Sequence, residues 1–202
     1  MSIVEDLYTK IDEGRTGKNI GLKTGLPKLD WYTGGFQKGI YRLIFGQSGS
    51  GKSSFAIYNS LYSVFKHNPN ANVIQIYFSL EMSANVLLAK LLALYIYDTF
   101  NVEIPYIDLM SVRSPLSDEL YQYVILGKQW LESIAEKLII FDKQLSADSF
   151  YASMMEILKS KGTFTKSADG RKTIYTPNDS NTIINVILDH IGLITPQKGR
   201  SK

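Results

Sequence analysis

Short apolar runs alternate with longer segments of helical periodicity along most of this 202-residue chain. Four of the runs are rich in apolar, β-prone residues, which is typical of strands buried on both faces. These predicted strands are residues 40–45, 72–79, 137–141 and 182–188. The predicted helices are residues 52–66, 83–97, 116–136 and 146–161. Strands that alternate with helices predict an α/β fold, with a mainly parallel sheet covered by helices on both faces.

Serine, proline and glycine set the predicted helix boundaries. Ser83 is the predicted N-cap of the second helix, because its hydroxyl can accept a hydrogen bond from the first turn. Ser114 is predicted to cap the third helix, with Pro115 at the first helical position. Gly162 is predicted to end the fourth helix.

Two segments lie outside this alternation. Residues 3–13 carry apolar side chains on one side of a short helix, and the polar stretch after Gly14 reads as a linker. A lone helix of this length is not stable by itself, so it must dock on its own domain or on a neighbouring subunit. We therefore divide the chain into a linker helix with its linker, residues 1–19, and a main domain, residues 20–202.

The polar segment 163–180 has Asp169-Gly170 at its centre, between β-prone flanks. Asp-Gly in this setting predicts a hairpin turn. We interpret the segment as an inserted, solvated β-hairpin, since a plain loop of this length is uncommon in a compact domain. Contact with a partner is the alternative.

Composition narrows the function only a little. The net charge of +3 is too small to indicate nucleic acid binding by itself. The chain has no cysteine, which excludes disulfides and thiolate metal sites and suits a reducing compartment. The N-terminus does not resemble a signal peptide, and no apolar run is long enough to cross a membrane. These features favour a cytoplasmic protein.

A phosphate-binding loop carries the chemistry. It has the pattern G-x-x-x-x-G-K-S between a predicted strand and a predicted helix, which directs backbone N–H groups and the helix dipole at an anion. Its residues are Gly46, Gln47, Ser48, Gly49, Ser50, Gly51, Lys52 and Ser53, with Ser54 continuing into the helix. Lys52 is predicted to reach the β- and γ-phosphates and Ser53 to bind Mg²⁺. The chain is therefore predicted to bind ATP, or another nucleoside triphosphate, with Mg²⁺.

Two acids follow predicted strands. Asp189 ends the fourth strand, where such an aspartate holds Mg²⁺ in phosphate-loop enzymes; a simple strand-end role is the alternative. Glu81 lies just past the second strand, at the sheet edge where parallel α/β proteins bind ligands. We predict that Glu81 orients the attacking water, with a first-turn helix acid as the alternative. His190 replaces the Glu that several ATPase classes place there; we interpret it as a packing residue, with γ-phosphate sensing as the alternative.

These motifs together resemble the RecA-like ATPase domain of DnaB-type replicative helicases. The resemblance covers residues 20–195 and is most specific at Phe78-Ser79-Leu80-Glu81-Met82-Ser83. The other matching segments are residues 24–30, residues 34–39, the phosphate loop and Asp189-His190-Ile191-Gly192-Leu193-Ile194. The family usually has Tyr after this Asp, and the His here is similar to phage-encoded relatives.

The resemblance implies a hexameric ring that hydrolyses ATP at subunit interfaces and moves on single-stranded DNA. It implies that Glu81 is the catalytic base, that Asp189 is the Walker B acid, and that residues 3–13 dock on the adjacent subunit. A primase or a helicase loader is an implied partner. In a phage, the place of action would be the cytoplasm of the bacterial host.

The chain also departs from the family pattern. The N-terminal primase-contacting domain has no match, and the DNA loops, phosphate-sensing Gln and arginine finger lie downstream of the Walker B segment. We therefore expect a fragment or one half of a split protein, incomplete at its C-terminus, with a mobile basic tail at residues 198–202. A sheet strand also comes from that downstream region, so a gap beside the first strand is expected. A RecA/KaiC-type ATPase and a non-hydrolysing nucleotide-binding remnant are the alternative functions.

Overall fold

The computed structural model describes residues 3–167, 170 and 173–195. The basic tail at 198–202 and Asp169 of the predicted hairpin turn lie outside these residues. The chain separates into two units, Met1–Asn70 and Ala71–Lys202. Each unit is described by itself.

The first unit contains the predicted phosphate-loop helix. The helix begins as α3 (Lys52–Phe55), continues as a π-helical segment (Ala56–Tyr62) and ends as α4 (Ser63–His67). The prediction of a helix over 52–66 is therefore confirmed, although its middle is wider than an α-helix. Before it come α1 (Ile3–Arg15) and the short α2 (Pro27–Thr33).

A buried threonine links the segment before α2 to the long helix. Thr24 is fully buried, and its N–H donates to the carboxylate of Asp30 in α2 at 3.0 Å. Asn59 of the π-helical segment donates to the Thr24 carbonyl at 2.9 Å. The Thr-Gly-Leu-Pro-Lys-Leu-Asp stretch thus positions α2 against the helix that follows the phosphate loop.

The prediction of a strand over 40–45 is wrong. These residues are irregular, and most of their apolar side chains are exposed, Phe45 by 86%. Among the described residues, no strand pairs with them. A β-prone run becomes a strand only when a neighbour supplies hydrogen bonds, and this run has none. Arg42 instead donates to the Gly35 carbonyl and lies over the Phe36 ring.

Helix α1 has an unpartnered apolar side. None of its 13 residues is buried. Its large hydrophobic side chains range from 49% to 88% exposed. They are Ile3, Val4, Leu7, Tyr8 and Ile11. The predicted amphipathic helix is present, and what its apolar side contacts stays a prediction.

The second unit is built on a parallel sheet of three strands, ordered β2-β1-β5. The strands are β1 (Val73–Ser79), β2 (Leu138–Phe141) and β5 (Ile183–Asp189). They confirm the last three of the four predicted strands. The order places β1 in the centre, which agrees with the burial of all seven of its residues.

Helices cover both faces of this sheet. They are α5 (Ala84–Phe100), α7 (Asp118–Ala135) and α8 (Ala147–Lys161), with the short α6 (Tyr106–Leu109) between α5 and α7. On one face, Phe78 packs against Phe150 of α8, with ring centroids 4.6 Å apart. On the other face, α5, α7 and β2 line a cavity of about 260 Å³. The α/β prediction with helices on both faces is confirmed within this unit.

Helix boundaries follow the predictions in part. Ser83 and Ser146 hold the N-cap positions of α5 and α8. The prediction of Ser114 and Pro115 at the start of the third helix is wrong: α7 begins at Asp118, and Ser117 accepts the capping bond from the Leu120 N–H at 3.3 Å. Three serine or proline signals in four positions left the local sequence ambiguous.

The inserted hairpin is confirmed. Strands β3 (Gly162–Lys166) and β4 (Thr173–Pro177) pair antiparallel. Gly162 differs from its prediction, because it is extended and opens β3 immediately after α8 ends at Lys161. None of the helices that the structure describes is long and apolar enough to cross a membrane.

Substitution of Gly25 by alanine should destabilise the first unit. Gly25 has a φ of +78°, and an added Cβ would lie 2.6 Å from Oγ of Ser63. Gly39 has a similar φ of +73° with no atom within 4 Å of the added Cβ. Gly39→Ala should therefore cost only the left-handed strain, about 1–2 kcal/mol, and Gly25→Ala should cost more. Urea unfolding of both variants measures the difference, and equal losses would contradict the steric argument.

Candidate functional site

The phosphate loop forms the start of a helix in the first unit. Gly51 is the N-cap of α3 with a φ of +85°, a conformation that favours glycine. The helical hydrogen bonds begin with the Phe55 N–H to the Gly51 carbonyl at 2.8 Å. The N–H groups of residues 52–54 therefore precede the regular hydrogen-bond pattern and face the helix N-terminus. This is the arrangement that binds phosphate oxygens.

The loop is open to solvent and closely folded. Residues 46–51 and Ser54 are exposed, and Lys52 and Ser53 are intermediate. The Lys52 ammonium donates to the Gln47 carbonyl at 2.8 Å, so it lies across the loop. A Cβ on Gly46 would come within 2.7 Å of Oγ of Ser50, so a side chain there would fill the concave side. These features fit a triphosphate.

The second unit brings the two predicted acids to one edge of its sheet. In the parallel register, Ser79 of β1 pairs with Asp189 of β5, and the Leu80 N–H extends the ladder by donating to the Asp189 carbonyl at 2.8 Å. Glu81 follows directly, so both acids lie at the carboxyl ends of neighbouring strands. Asp142, just after β2, reaches the same edge and accepts from the Ala84 N–H at 2.9 Å.

The loop that carries Glu81 is held at both ends. Oγ of Ser79 donates to the Met82 carbonyl at 2.6 Å across the loop. The Ala84 N–H, at the start of α5, is held by Asp142. The backbone on both sides of Glu81 is therefore fixed by hydrogen bonds of the second unit.

Asp189 is a buried acid with a tyrosine partner. It is only 7% exposed, and the hydroxyl of the fully buried Tyr77 donates to its Oδ2 at 2.9 Å. The two residues are diagonal neighbours on one face, because Tyr77 pairs with Ile187 and side chains alternate along β5. Burial raises the pKa of the Tyr77 phenol above its usual range, and the charge and hydrogen bond of Asp189 raise it further. Tyr77 therefore stays protonated and donates permanently to Asp189.

Glu81 forms an ion pair with His190. Nε2 of His190 lies 2.8 Å from Oε1 of Glu81, and both side chains are close to half exposed. His190 follows Asp189 through a cis peptide bond. The interpretation of His190 as a packing residue is wrong, because the structure gives it a polar partner.

The donor set suits Mg²⁺. Among the described residues, no group of three or more His, Cys, Asp or Glu side chains could hold a metal. A hydroxyl from Ser53 and a carboxylate from Asp189 are hard oxygen donors, and Mg²⁺ commonly takes one or two such protein ligands together with substrate phosphates. The residues thus fit a metal that arrives with a nucleotide.

The predicted residues divide between the units. Glu81 and Asp189 lie at one sheet edge of the second unit, and the phosphate loop belongs to the first. Convergence of Lys52 with the two acids stays a prediction. Sequence reasoning missed Tyr77 and Asp142; their signal was the strand register, which the apolar pattern alone does not give.

Removal of the Tyr77 hydroxyl should destabilise the protein in a pH-dependent way. Tyr77→Phe removes a donor to a buried carboxylate, so at neutral pH the free energy of unfolding should fall by about 1–3 kcal/mol. Above about pH 10 the unfolded tyrosine ionises while the folded one stays neutral, so the wild type loses stability that the Phe variant does not. The gap between them should narrow as the pH rises.

Urea unfolding from pH 7 to 11 measures this gap. Tyr151→Phe is the matched control, since Tyr151 is 65% exposed. It should change stability little at any of these pH values. A Tyr77→Phe gap that stays constant with pH would contradict the assignment.

Comparisons with known proteins agree with these features. No curated protein sequence matches the chain. A solved structure, the ATPase domain of a phage helicase, is similar over 100% of this chain with a TM-score of 0.68 and 20% sequence identity, which supports the fold. This chain spans 61% of that structure's length. The family model of the DnaB-like helicase C-terminal domain matches residues 21–201. The chain therefore belongs to the DnaB-like helicase C-terminal domain family, with a RecA-like α/β fold.

Proposed function

We propose that this chain is the ATP-binding and hydrolysing motor domain of a hexameric DnaB-like replicative helicase that moves on single-stranded DNA. The phosphate loop at the start of the α3 helix, inside the 21–201 family match, is the observation that carries the proposal. Domains of this family use nucleotide. ATP is the proposed nucleotide, and Mg²⁺ its metal.

The loop residues take the binding role in this proposal. The backbone N–H groups of residues 46–54 hold the phosphates, and Lys52 moves its ammonium from the Gln47 carbonyl to the β- and γ-phosphates. Ser53 and Asp189 hold Mg²⁺, which neutralises charge on the phosphates when bound. Tyr77 keeps the Asp189 carboxylate oriented through its hydrogen bond.

Glu81 takes the role of base. Its carboxylate orients a water for in-line attack on the γ-phosphate and accepts the proton of that water. Its place directly after β1, on a loop held at both ends, supports this role. The first-turn helix role is less supported, because α5 begins at Ala84 and leaves Glu81 outside the helix.

The remaining parts of the proposal concern partners. The exposed apolar side of α1 supports residues 1–19 as a linker helix that docks on an adjacent subunit, before an ATPase domain over 20–202. Single-stranded DNA and the other subunits of the ring are the proposed partners, and a primase or loader is a further one. The proposed place of action is the cytoplasm.

The loop assignment predicts a loss of nucleotide affinity in Lys52→Ala. Removal of the ammonium should weaken ATP binding at least tenfold, because a direct charge on the β- and γ-phosphates is lost. Titration with a fluorescent ATP analogue measures the dissociation constant. Lys28→Ala removes an exposed lysine of α2 and should bind normally. Retained affinity in the Lys52 variant would argue against the loop assignment.

The base assignment predicts that Glu81→Gln in the full-length protein binds ATP and does not turn it over. The amide keeps the shape of the side chain but cannot accept the proton, so kcat should fall by about 10²–10⁴. DNA-stimulated phosphate release measures it, and Glu103→Gln, an exposed acid elsewhere, is the control. Unchanged turnover would move the base to another residue.

The alternatives give different results in the same protein. A RecA/KaiC-type ATPase would hydrolyse ATP without unwinding a DNA fork. A non-hydrolysing remnant would bind ATP with no turnover in the wild type. Unwinding that Glu81→Gln abolishes supports the helicase.

A further inference from the structure

The contact between Glu81 and His190 joins residues that follow two neighbouring strands. Nε2 of His190 and Oε1 of Glu81 are 2.8 Å apart. The pairing of Ser79 with Asp189 brings these positions to the same level of the sheet. The contact is therefore a consequence of strand register, and the loop that bears Glu81 is itself fixed on both sides.

A second hydrogen bond sets the direction of this contact. The Gly192 N–H donates to Nδ1 of His190 at 3.1 Å, where His190 caps the short 3₁₀ turn Ile191–Leu193. A ring nitrogen that accepts a hydrogen bond carries no proton in the neutral imidazole, so the proton lies on Nε2. Nε2 thus donates to Glu81 in the neutral ring, as it does in the charged one.

Gly192 also gives the ring its room. An added Cβ at this position would lie 2.9 Å from Cε1 of His190 and 3.0 Å from Nδ1. A side chain there would displace the imidazole from its place between the backbone N–H and Glu81. The backbone of the turn therefore fixes both the tautomer and the position of the ring.

The contact restrains the side chain of Glu81. Its Oε1 is engaged by His190, and among the described residues no contact engages Oε2. One carboxylate oxygen is held while the other can accept a proton from water. Because both side chains are close to half exposed, the pair contributes little to stability, and its effect should be on the orientation of the carboxylate.

We propose that His190 is a positioning residue that holds Glu81, through an Nε2–H to Oε1 hydrogen bond whose direction is set by the Gly192 N–H. The proposal deepens the proposed function, since it rests on Glu81 as the base. His190 does not accept or transfer the proton of the water. It limits the rotamers of Glu81, so that Oε2 presents to the water more often.

The kinetic test compares three variants in the full-length protein. His190→Ala should lower kcat for DNA-stimulated ATP hydrolysis by about ten- to a hundredfold, with an unchanged KM and an unchanged unfolding midpoint. His190→Gln should recover most of kcat, because its side-chain amide can donate from a place close to Nε2. Ile191→Ala, at a 60% exposed side chain in the same turn, should behave as wild type.

A double-mutant comparison separates this proposal from the proposed function. In a Glu81→Gln background, His190→Ala should have no further effect on the residual rate, because both changes act on one carboxylate. Normal kcat in His190→Ala beside an inactive Glu81→Gln would overturn the positioning role and leave the base assignment intact. Normal turnover in Glu81→Gln would overturn the base assignment and the positioning role with it.

The tautomer gives a readout that does not depend on turnover. Imidazole ¹⁵N NMR of the wild type at pH 8 should show the neutral His190 ring protonated at Nε2. Glu81→Ala should shift the Nε2 resonance and leave the tautomer unchanged, because the Gly192 N–H still engages Nδ1. A ring protonated at Nδ1, or a Nε2 resonance that does not respond to Glu81→Ala, would overturn the contact itself.

Discussion

The parallel pairing of β1 with β5 is the constraint on which the chemistry of the second unit depends. The register Ser79 to Asp189 determines which side chains share the sheet edge. It brings Tyr77 to Asp189 and Glu81 to His190, although each pair is more than 100 residues apart in sequence. A slip of one residue would turn Tyr77 and Asp189 to opposite faces and separate both pairs.

The two acids at this edge have opposite environments. Asp189 is buried beside a tyrosine that stays protonated, so its carboxylate has a fixed donor and little freedom. Glu81 is close to half exposed beside a histidine, where an ion pair adds little stability. An acid that holds a metal benefits from a rigid, buried position, and an acid that accepts a proton from water must be reachable. The environments thus match the roles proposed from the sequence.

The sequence predicts elements well where the signal is local. The apolar runs of β1, β2 and β5, the phosphate loop and the hairpin at Gly162–Pro177 are all readable from short windows. Residues 40–45 fail because a strand needs a partner, and the apolar pattern carries no information about one. The contact between His190 and Glu81 was missed for the same reason, since only register brings the two together. The start of α7 at Asp118 was misjudged because several local start signals compete there.

The loop between β1 and α5 has a consequence for when the site acquires its order. Ser79 bonds to Met82 within the loop, and Asp142 holds its far end, so the backbone at Glu81 is arranged by the fold itself. The conformational entropy of this segment is therefore lost during folding rather than when a ligand arrives. A preorganised carboxylate of this kind needs little rearrangement before each catalytic cycle, which leaves the free energy of ligand binding available for movement elsewhere in the protein.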